Sequence, residues 1–335
     1  MATIRNLIDR CYREYLEPND DLTSYTALTA SINSSVTTVP FNANLLTQEE
    51  EDMMDAGTII EIDSELMICT EIDTVNNEVT VIRAARGTTA DSHDSAAIIK
   101  IAPVFTRKAV FDAVKDQVNN LFPSLFAVTT VSIQSGDGYT LIGDHSSLGT
   151  HNYIVSIIGA ISQYTDFSSG TDTTSINFST VPCSLVELPN PFTYTDSDGV
   201  ERTMTYTTGP SVVHAIQFAN ISTNKTVHVT FKKKFIEPTA ESSTLDDIGL
   251  EPEYEPIIMA GVAAQLISGR DIPAATSSYI TEAMATQQYP VGSSNNLRNS
   301  LLQYQQLLLT QARKYLRAKY PESVAVDGLV FGIQS

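Results

Sequence analysis

Five histidines, three cysteines and several carboxylate clusters are the side chains of this 335-residue chain that could do chemistry. The histidines are His93, His145, His151, His214 and His228. His145 and His151 share a Ser/Gly-rich stretch, but only Asp144 stands near them, and zinc needs three or four ligands at fixed geometry. Cys11, Cys69 and Cys183 are far apart, odd in number and form no CxxC, so neither a disulfide framework nor a zinc site is expected. Asp196, Asp198 and Gly199 resemble the start of a calcium loop without its late glutamate, and read as a hairpin turn. Glu49, Glu50, Glu51, Asp52 and Asp55 crowd the start of a short helix, where the dipole favours acid. Lys232, Lys233 and Lys234 end a strand. Such a run could touch a phosphate, but more often it guards a sheet edge or faces an acidic neighbour. Gly136-Asp137-Gly138 lacks the third glycine of a dinucleotide fingerprint and reads as a turn. No G-x-S-x-G, P-loop or H-E-x-x-H occurs. The expectation is a protein with no catalytic residues, no metal and no cofactor.

The elements that would carry these residues alternate between helix and strand. Ile4, Leu7, Ile8, Cys11, Tyr12, Tyr15 and Leu16 follow helical spacing; Thr3 can cap this first helix and Pro18 ends it. Residues 26–103 read as short strands with tight turns at Asp63-Ser64 and Asn76-Asn77, a small β-barrel-like module. Within it, Thr47 and Glu50 make a capping box. Residues 104–122 return to helix and Pro123 stops it. Residues 129–237 are strand-rich with regular turns, which predicts a larger β-sandwich. Residues 238–256 read as an acidic linker. Ile257–Ile267 is apolar nearly all round and predicts a buried helix; residues 275–288 predict a weaker one. Leu297–Tyr320 is the longest helix, with a stripe at Leu297, Leu301, Tyr304, Leu308, Ala312 and Tyr315 that Leu302, Leu309 and Leu316 widen. The class is therefore α+β: a helical bundle core from residues 1–25, 104–128 and 257–320, into which the small β module and the sandwich are inserted.

With 42% hydrophobic and 18% charged residues the chain can bury real cores and is not disordered as a whole. Its net charge is -19, from 39 acidic and 20 basic residues, which excludes a general basic face for coating nucleic acid. The stretch MATIRNLIDR has no apolar signal core, and the longest near-apolar run falls short of the ~20 residues a membrane span needs. A soluble protein of a reducing cytoplasm, with no membrane partner, is expected.

One stretch is more specific. It reads Gly57-Thr-Ile-Ile-Glu-Ile-Asp-Ser-Glu-Leu-Met-Ile-Cys69, then Val79–Arg83, then Arg86-Gly-Thr-Thr-Ala-Asp-Ser-His93, then Ala97-Ile-Ile. It resembles a small β module of structural proteins in tailed bacteriophages and related viruses. There an Asp-x-Glu pair makes a turn and R-G-T-T-A-x-x-H forms the closing loop. The flanking helices LIDRCYREYL and FTRKAVFDAVKDQVNNLFP, with a long closing helix ending in R-x-x-YP, are similar to a head–tail connector or adaptor. The likeness covers about half the chain, and the 129–237 sandwich departs from the minimal adaptors.

The resemblance implies a non-enzymatic virion protein of the neck, made in the host cytoplasm. It would form a ring of twelve copies beneath the portal protein, join downstream neck or tail proteins, and continue the DNA channel without sequence-specific contact. An acidic total suits such a conduit. The rival expectation is a tail or baseplate protein whose sandwich binds a host surface glycan or a virion partner. The absence of Trp and the scatter of the sandwich tyrosines count against a sugar site. Residues 321–335 are read as a docking arm: Val324 and Val326 alternate like a strand, Asp327-Gly328 is a turn signal, and Leu329, Val330, Phe331 and Ile333 are apolar. Arg313, Lys314, Arg317 and Lys319 precede it and could seat the arm on an acidic partner.

Overall fold

The computed structural model describes residues 2–17, 23–134, 139–141, 154–166, 175–189, 191–195, 201–204, 212–218, 226–267, 294–320, 324–326 and 329–331. The turn at Gly136-Asp137-Gly138, Asp144, His145, His151, the loop of Asp196, Asp198 and Gly199, the weaker helix at 275–288 and Ile333 lie outside them. The chain is α+β and divides into two compact units. One comprises residues 1–117, 238–244 and 252–308, the other residues 118–237, 245–251 and 309–335.

The first unit opens with α1 (Ile4–Cys11), whose Thr3 cap accepts from the Asn6 amide and whose Ile4, Leu7, Ile8 and Cys11 are buried. The chain then widens into a π-helical turn, Tyr12–Leu16, closed by the Glu17 amide on the Tyr12 carbonyl at 2.8 Å. Tyr12 and Leu16 are buried there, and the Tyr12 hydroxyl donates to the Phe105 carbonyl at 2.9 Å. Spacing predicts a single regular helix; its last turn is π-helical instead, with Tyr12 and Leu16 still on the buried side.

Next comes an antiparallel six-stranded sheet. In chain order its strands are β1 (Ser24–Ala27), β2 (Thr38–Pro40), β3 (Ile59–Ile62), β4 (Glu65–Asp73), β5 (Glu78–Ile82) and β6 (Ile98–Ile101). Their order in the sheet is β1-β6-β3-β4-β5-β2. The sheet curls until its two edges touch: Leu28 bridges Phe41, and the Asn42 amide donates to the Ala27 carbonyl. Val39, Ile60, Ile62, Met67, Val79, Val81, Ile99 and Ile101 fill the interior, following the two-residue alternation of the strands, and Phe41 and Met54 join them from the connections. The short helix α2 (Gln48–Asp52) carries the capping box of Thr47 and Glu50.

Three further helices contribute to this unit. These are α3 (Arg107–Leu121, through Gln117), α5 (Glu255–Ile267) and α6 (Ser294–Lys319, through Leu308), while α4 (Leu245–Ile248) belongs to the second unit. As its all-round apolar sequence requires, α5 is buried along nearly its whole length, and it packs on α1. Arg10 of α1 pairs with the buried Glu255 at its start. Gly261 of α5 sits where α3 and α6 converge. The buried Gln305 amide donates to Gln117 Oε1 at 2.9 Å and to the Ile257 carbonyl at 3.2 Å, directly over that glycine. Residues 241–244 pair with the start of α1, through the Ile4 amide on Ser243 and the Arg5 amide on Glu241.

The second unit is built on β15 (Thr226–Lys233). It is flanked by β7 (Ala127–Gln134) and β9 (Ile154–Asp166), with β10 (Ser175–Thr180) beyond β9. A second sheet has the order β11 (Cys183–Pro189), β14 (Val212–Phe218), β8 (Tyr139–Leu141), and β12 (Phe192–Thr195) pairs with β13 (Glu201–Met204). Val131, Ala160, Val227, Val229 and Phe231 of the first sheet share one core with Ile216 of the second. The lysine run does not guard an edge, because β15 lies inside its sheet. Lys232 lies over the Phe126 ring at 4.2 Å and Lys234 over Phe122 at 5.1 Å, while Lys233 continues the inward stripe and burial lowers its pKa. Helix α4 (Leu245–Ile248) buries Leu245 and Ile248, and Leu250 is buried just after it. Residues that composition reads as part of a linker are therefore packed, because a few apolar side chains among the acids find a core.

Along α6 the expected stripe is only partly covered. Leu297, Leu301 and Leu316 are buried, Tyr304, Leu308, Leu309 and Ala312 half-buried, and Tyr315 is 54% exposed.

A methyl group at Gly261 would collide with Gln117 and Gln305. Gly261→Ala is expected to cost about 1–3 kcal/mol by urea denaturation, since a buried amide loses its partners. Adding Gln117→Ala should recover part of that loss by making room for the methyl.

Candidate functional site

The residues that carried the sequence motif meet at one place in the first unit. A two-residue turn joins β3 to β4, with Asp63 at φ 54° and Ile62 paired to Glu65. This sets Asp63 at the rim and Glu65 inward. The chain leaves β5 at Arg83 and turns back through Ala84, Arg86 and Gly87, all at positive φ. Only glycine takes that region freely, so two non-glycine residues there mark a loop held by its contacts. It returns along Asp91 to His93, whose backbone pairs in both directions with Ile32.

Glu65 is the centre, its side chain 1% exposed. Its Oε1 accepts from Arg83 Nε at 2.7 Å and the Ala84 amide at 3.0 Å. Its Oε2 accepts from Arg83 Nη2 at 2.7 Å and the Asp91 amide at 3.0 Å, and lies 3.0 Å from His93 Nε2. Burial works to raise the Glu65 pKa, but the Arg83 guanidinium, the two amides and His93 outweigh it and hold the carboxyl at about 2. Arg83 spends its remaining N–H groups on the carbonyls of Asn33, Val36 and Asp91, so all five of its donors are used. The other nitrogen of His93, Nδ1, lies 2.7 Å from Asp63 Oδ2.

An Asp–His–Glu row suggests a proton relay, but both nitrogens of His93 face carboxylates. No ring nitrogen is left to serve as a base toward a substrate. What the arrangement can do is lock: one arginine and one glutamate tie the β3–β4 turn, the end of β5 and the 84–93 loop into a single piece. Thr88 adds to it, its hydroxyl accepting from the Leu66 amide at 3.2 Å and donating to the Ala85 carbonyl at 2.8 Å.

Outside this lock lies an open cleft of about 970 Å³, lined on one side by Asp63, Thr88 and Asp91 and on the other by Arg5, Arg107 and Lys108. Arg107 donates to Asp9 and to Glu241, each at 2.8 Å, and its backbone amide donates to Glu61 Oε1 at 2.6 Å. Glu61, on β3, thus caps α3. Burial pushes its carboxyl up to about 7, against the pull of that amide, Lys100 and Arg107. Spacing gave no sign of this role: a glutamate between Ile60 and Ile62 reads as the outward position of a strand, and only the arrival of α3 buries it.

Among the described residues no group of His, Cys, Asp and Glu could hold a metal, and no helix is long and apolar enough to cross a membrane. The four cations expected to dock a partner, Arg313, Lys314, Arg317 and Lys319, are all exposed on the last turns of α6. Two short strands follow, β16 (Val324–Val326) and β17 (Leu329–Phe331), paired antiparallel with Val324 opposite Phe331, Ala325 opposite Val330 and Val326 opposite Leu329. No family model matches the chain, and no curated protein matches it.

Removing one partner of the lock leaves a buried charge alone, so Glu65→Gln is expected to lose about 3–5 kcal/mol. Arg83→Lys should not restore it, because an ammonium cannot reproduce the five-donor fork. Urea midpoints of the three proteins check this. The two buried glutamates have opposite pH signatures. Glu65, held low, adds stability that is present above about 4.5 and lost as pH falls toward about 2. Glu61, held high, adds stability that is present below about 4.5 and lost as pH rises through about 7. Glu61→Gln should therefore flatten the decline in urea midpoint between about pH 5 and 8 and leave the acid limb unchanged.

Proposed function

We propose that the protein is a structural subunit of the head–tail interface of a tailed virus. It forms a ring beneath the portal, joins capsid to tail and continues the DNA channel. The observation that carries the reading is the convergence of the Asp-x-Glu turn and the R-G-T-T-A-x-x-H loop on one saturated lock. The motif behind the resemblance is thereby accounted for as a scaffold device, suited to a subunit that must hold its shape under load. In this reading the helical segments 1–25, 104–128 and 257–320 form a bundle core as the adaptor part, and residues 26–103 are the β module inserted in it. Residues 129–237 face a tail or neck neighbour, and residues 321–335 are the arm that reaches the portal or the next subunit. The subunit performs no catalysis and needs no cofactor or metal; its setting is the virion neck, with twelve copies in the ring.

The test uses tail-less, DNA-filled heads that carry portals, mixed with the purified protein and imaged by negative-stain electron microscopy. A ring added beneath the portal, lost when the chain is cut after Pro321, is the expected result. A folded protein that ignores the heads and instead binds tails or host-surface glycans would replace this reading with the tail or baseplate one.

A further inference from the structure

The last turns of α6 carry three cations that no described residue of the chain answers. Arg313, Lys314 and Arg317 are exposed, and among the described residues none of the three has an ion-pair or hydrogen-bond partner. Arg313 and Arg317 are one turn apart, with Lys314 beside them. Lys319 is tied to Glu251 at 3.5 Å and lies over the Tyr315 and Tyr320 rings. Tyr315, 54% exposed, stands on the other side of the helix from Arg313 and Arg317, beside Lys319. Residues 301–320 hold these four cations and no acid, in a chain of net charge -19.

The complementary surface is on the same sequence. The corner around α2 exposes Leu45 to 52% and Met53 to 46%, and Glu49, Asp52 and Asp55 are exposed beside them in sequence. Among the described residues no cation pairs with these three carboxylates. One surface joins apolar groups to unpaired acid, the other presents unpaired base on long methylene stems.

We infer that the α6 face is occupied by a second copy of this chain, whose α2 corner seats against Arg313, Lys314 and Arg317. Carboxylates meet guanidinium groups, the pairing arginine suits best, while Leu45 and Met53 lie against the methylene stems of the cations. The two surfaces differ, so the contact is heterologous, and each chain offers one of each; repetition closes into a ring or runs on as a filament. This gives the ring proposed above its subunit contact and rests on that reading. Duplex DNA is the other polyanion such a face could meet. The copy is favoured because three free cations would release counterions from only about three phosphates, while the rest of the chain repels the duplex.

The test is sedimentation velocity on the full chain across concentration and salt. The double reversal R313E/R317E should weaken self-association at least about tenfold, and D52K/D55K should do the same. The chain carrying all four changes should regain most of the loss, since opposite charges face each other again. Far-UV circular dichroism checks that each variant is folded, and R313K/R317K, which keeps the charge, should associate. The inference is overturned if either reversal associates like the parent, if the four-change chain stays dissociated, or if R313E/R317E loses binding to a duplex oligonucleotide while self-association is unchanged. A reversal that leaves rings intact on portal-bearing heads would sink this contact and leave the neck reading standing. A parent chain that stays monomeric at every concentration and never joins heads would sink both.

Discussion

Glu65 is an ionised carboxylate with almost no access to water, and the β module is arranged around that fact. A lone buried carboxylate would protonate or drag the hairpin open. Here Arg83 meets both oxygens, two amides donate, and His93 closes the remaining side. Each donor comes from a different part of the chain: the end of β5, the left-handed loop after it, and the strand-like return to His93. Satisfying one charge therefore fixes three backbone segments, including residues whose φ values would otherwise be unfavourable. The carbonyls of Asn33 and Val36, reached by the same guanidinium, extend the constraint to the loop before β2.

The second buried glutamate shows the opposite solution. Glu61 has one short hydrogen bond from the first turn of α3, and no guanidinium meets it in a two-pronged grip. Burial dominates, and the carboxyl titrates near neutrality. Two glutamates four residues apart, on adjoining strands, thus differ in charge state because one is surrounded by donors and the other mainly by apolar walls and a helix end. That difference gives the module an acid-side and an alkaline-side sensitivity with separate origins.

Charge also sorts the surface. Among the described residues, three of the exposed cations without a partner, Arg313, Lys314 and Arg317, gather on one helix end. In a chain of net charge -19, general repulsion opposes self-association, and the ring proposed above would need such local complementarity to overcome it.

Much of this was legible in the order of residues. The two-residue turn at Asp63-Ser64, the capping box of Thr47 and Glu50, the buried character of Ile257–Ile267 and the β-rich reading of residues 129–237 all follow from local periodicity and turn chemistry, which neighbouring residues decide among themselves. The R-G-T-T-A-x-x-H stretch was visible as a motif, but not what it grips, since Arg83 and Glu65 meet across 18 positions of chain. Only the tertiary structure decided that Glu61 is buried, that Lys232–Lys234 lie within a sheet, that an acidic stretch packs through Leu245, Ile248 and Leu250, and that Tyr315 stays in solvent. Those outcomes depend on which surface arrives from elsewhere, because burial is a property of the approaching partner as much as of the side chain it covers.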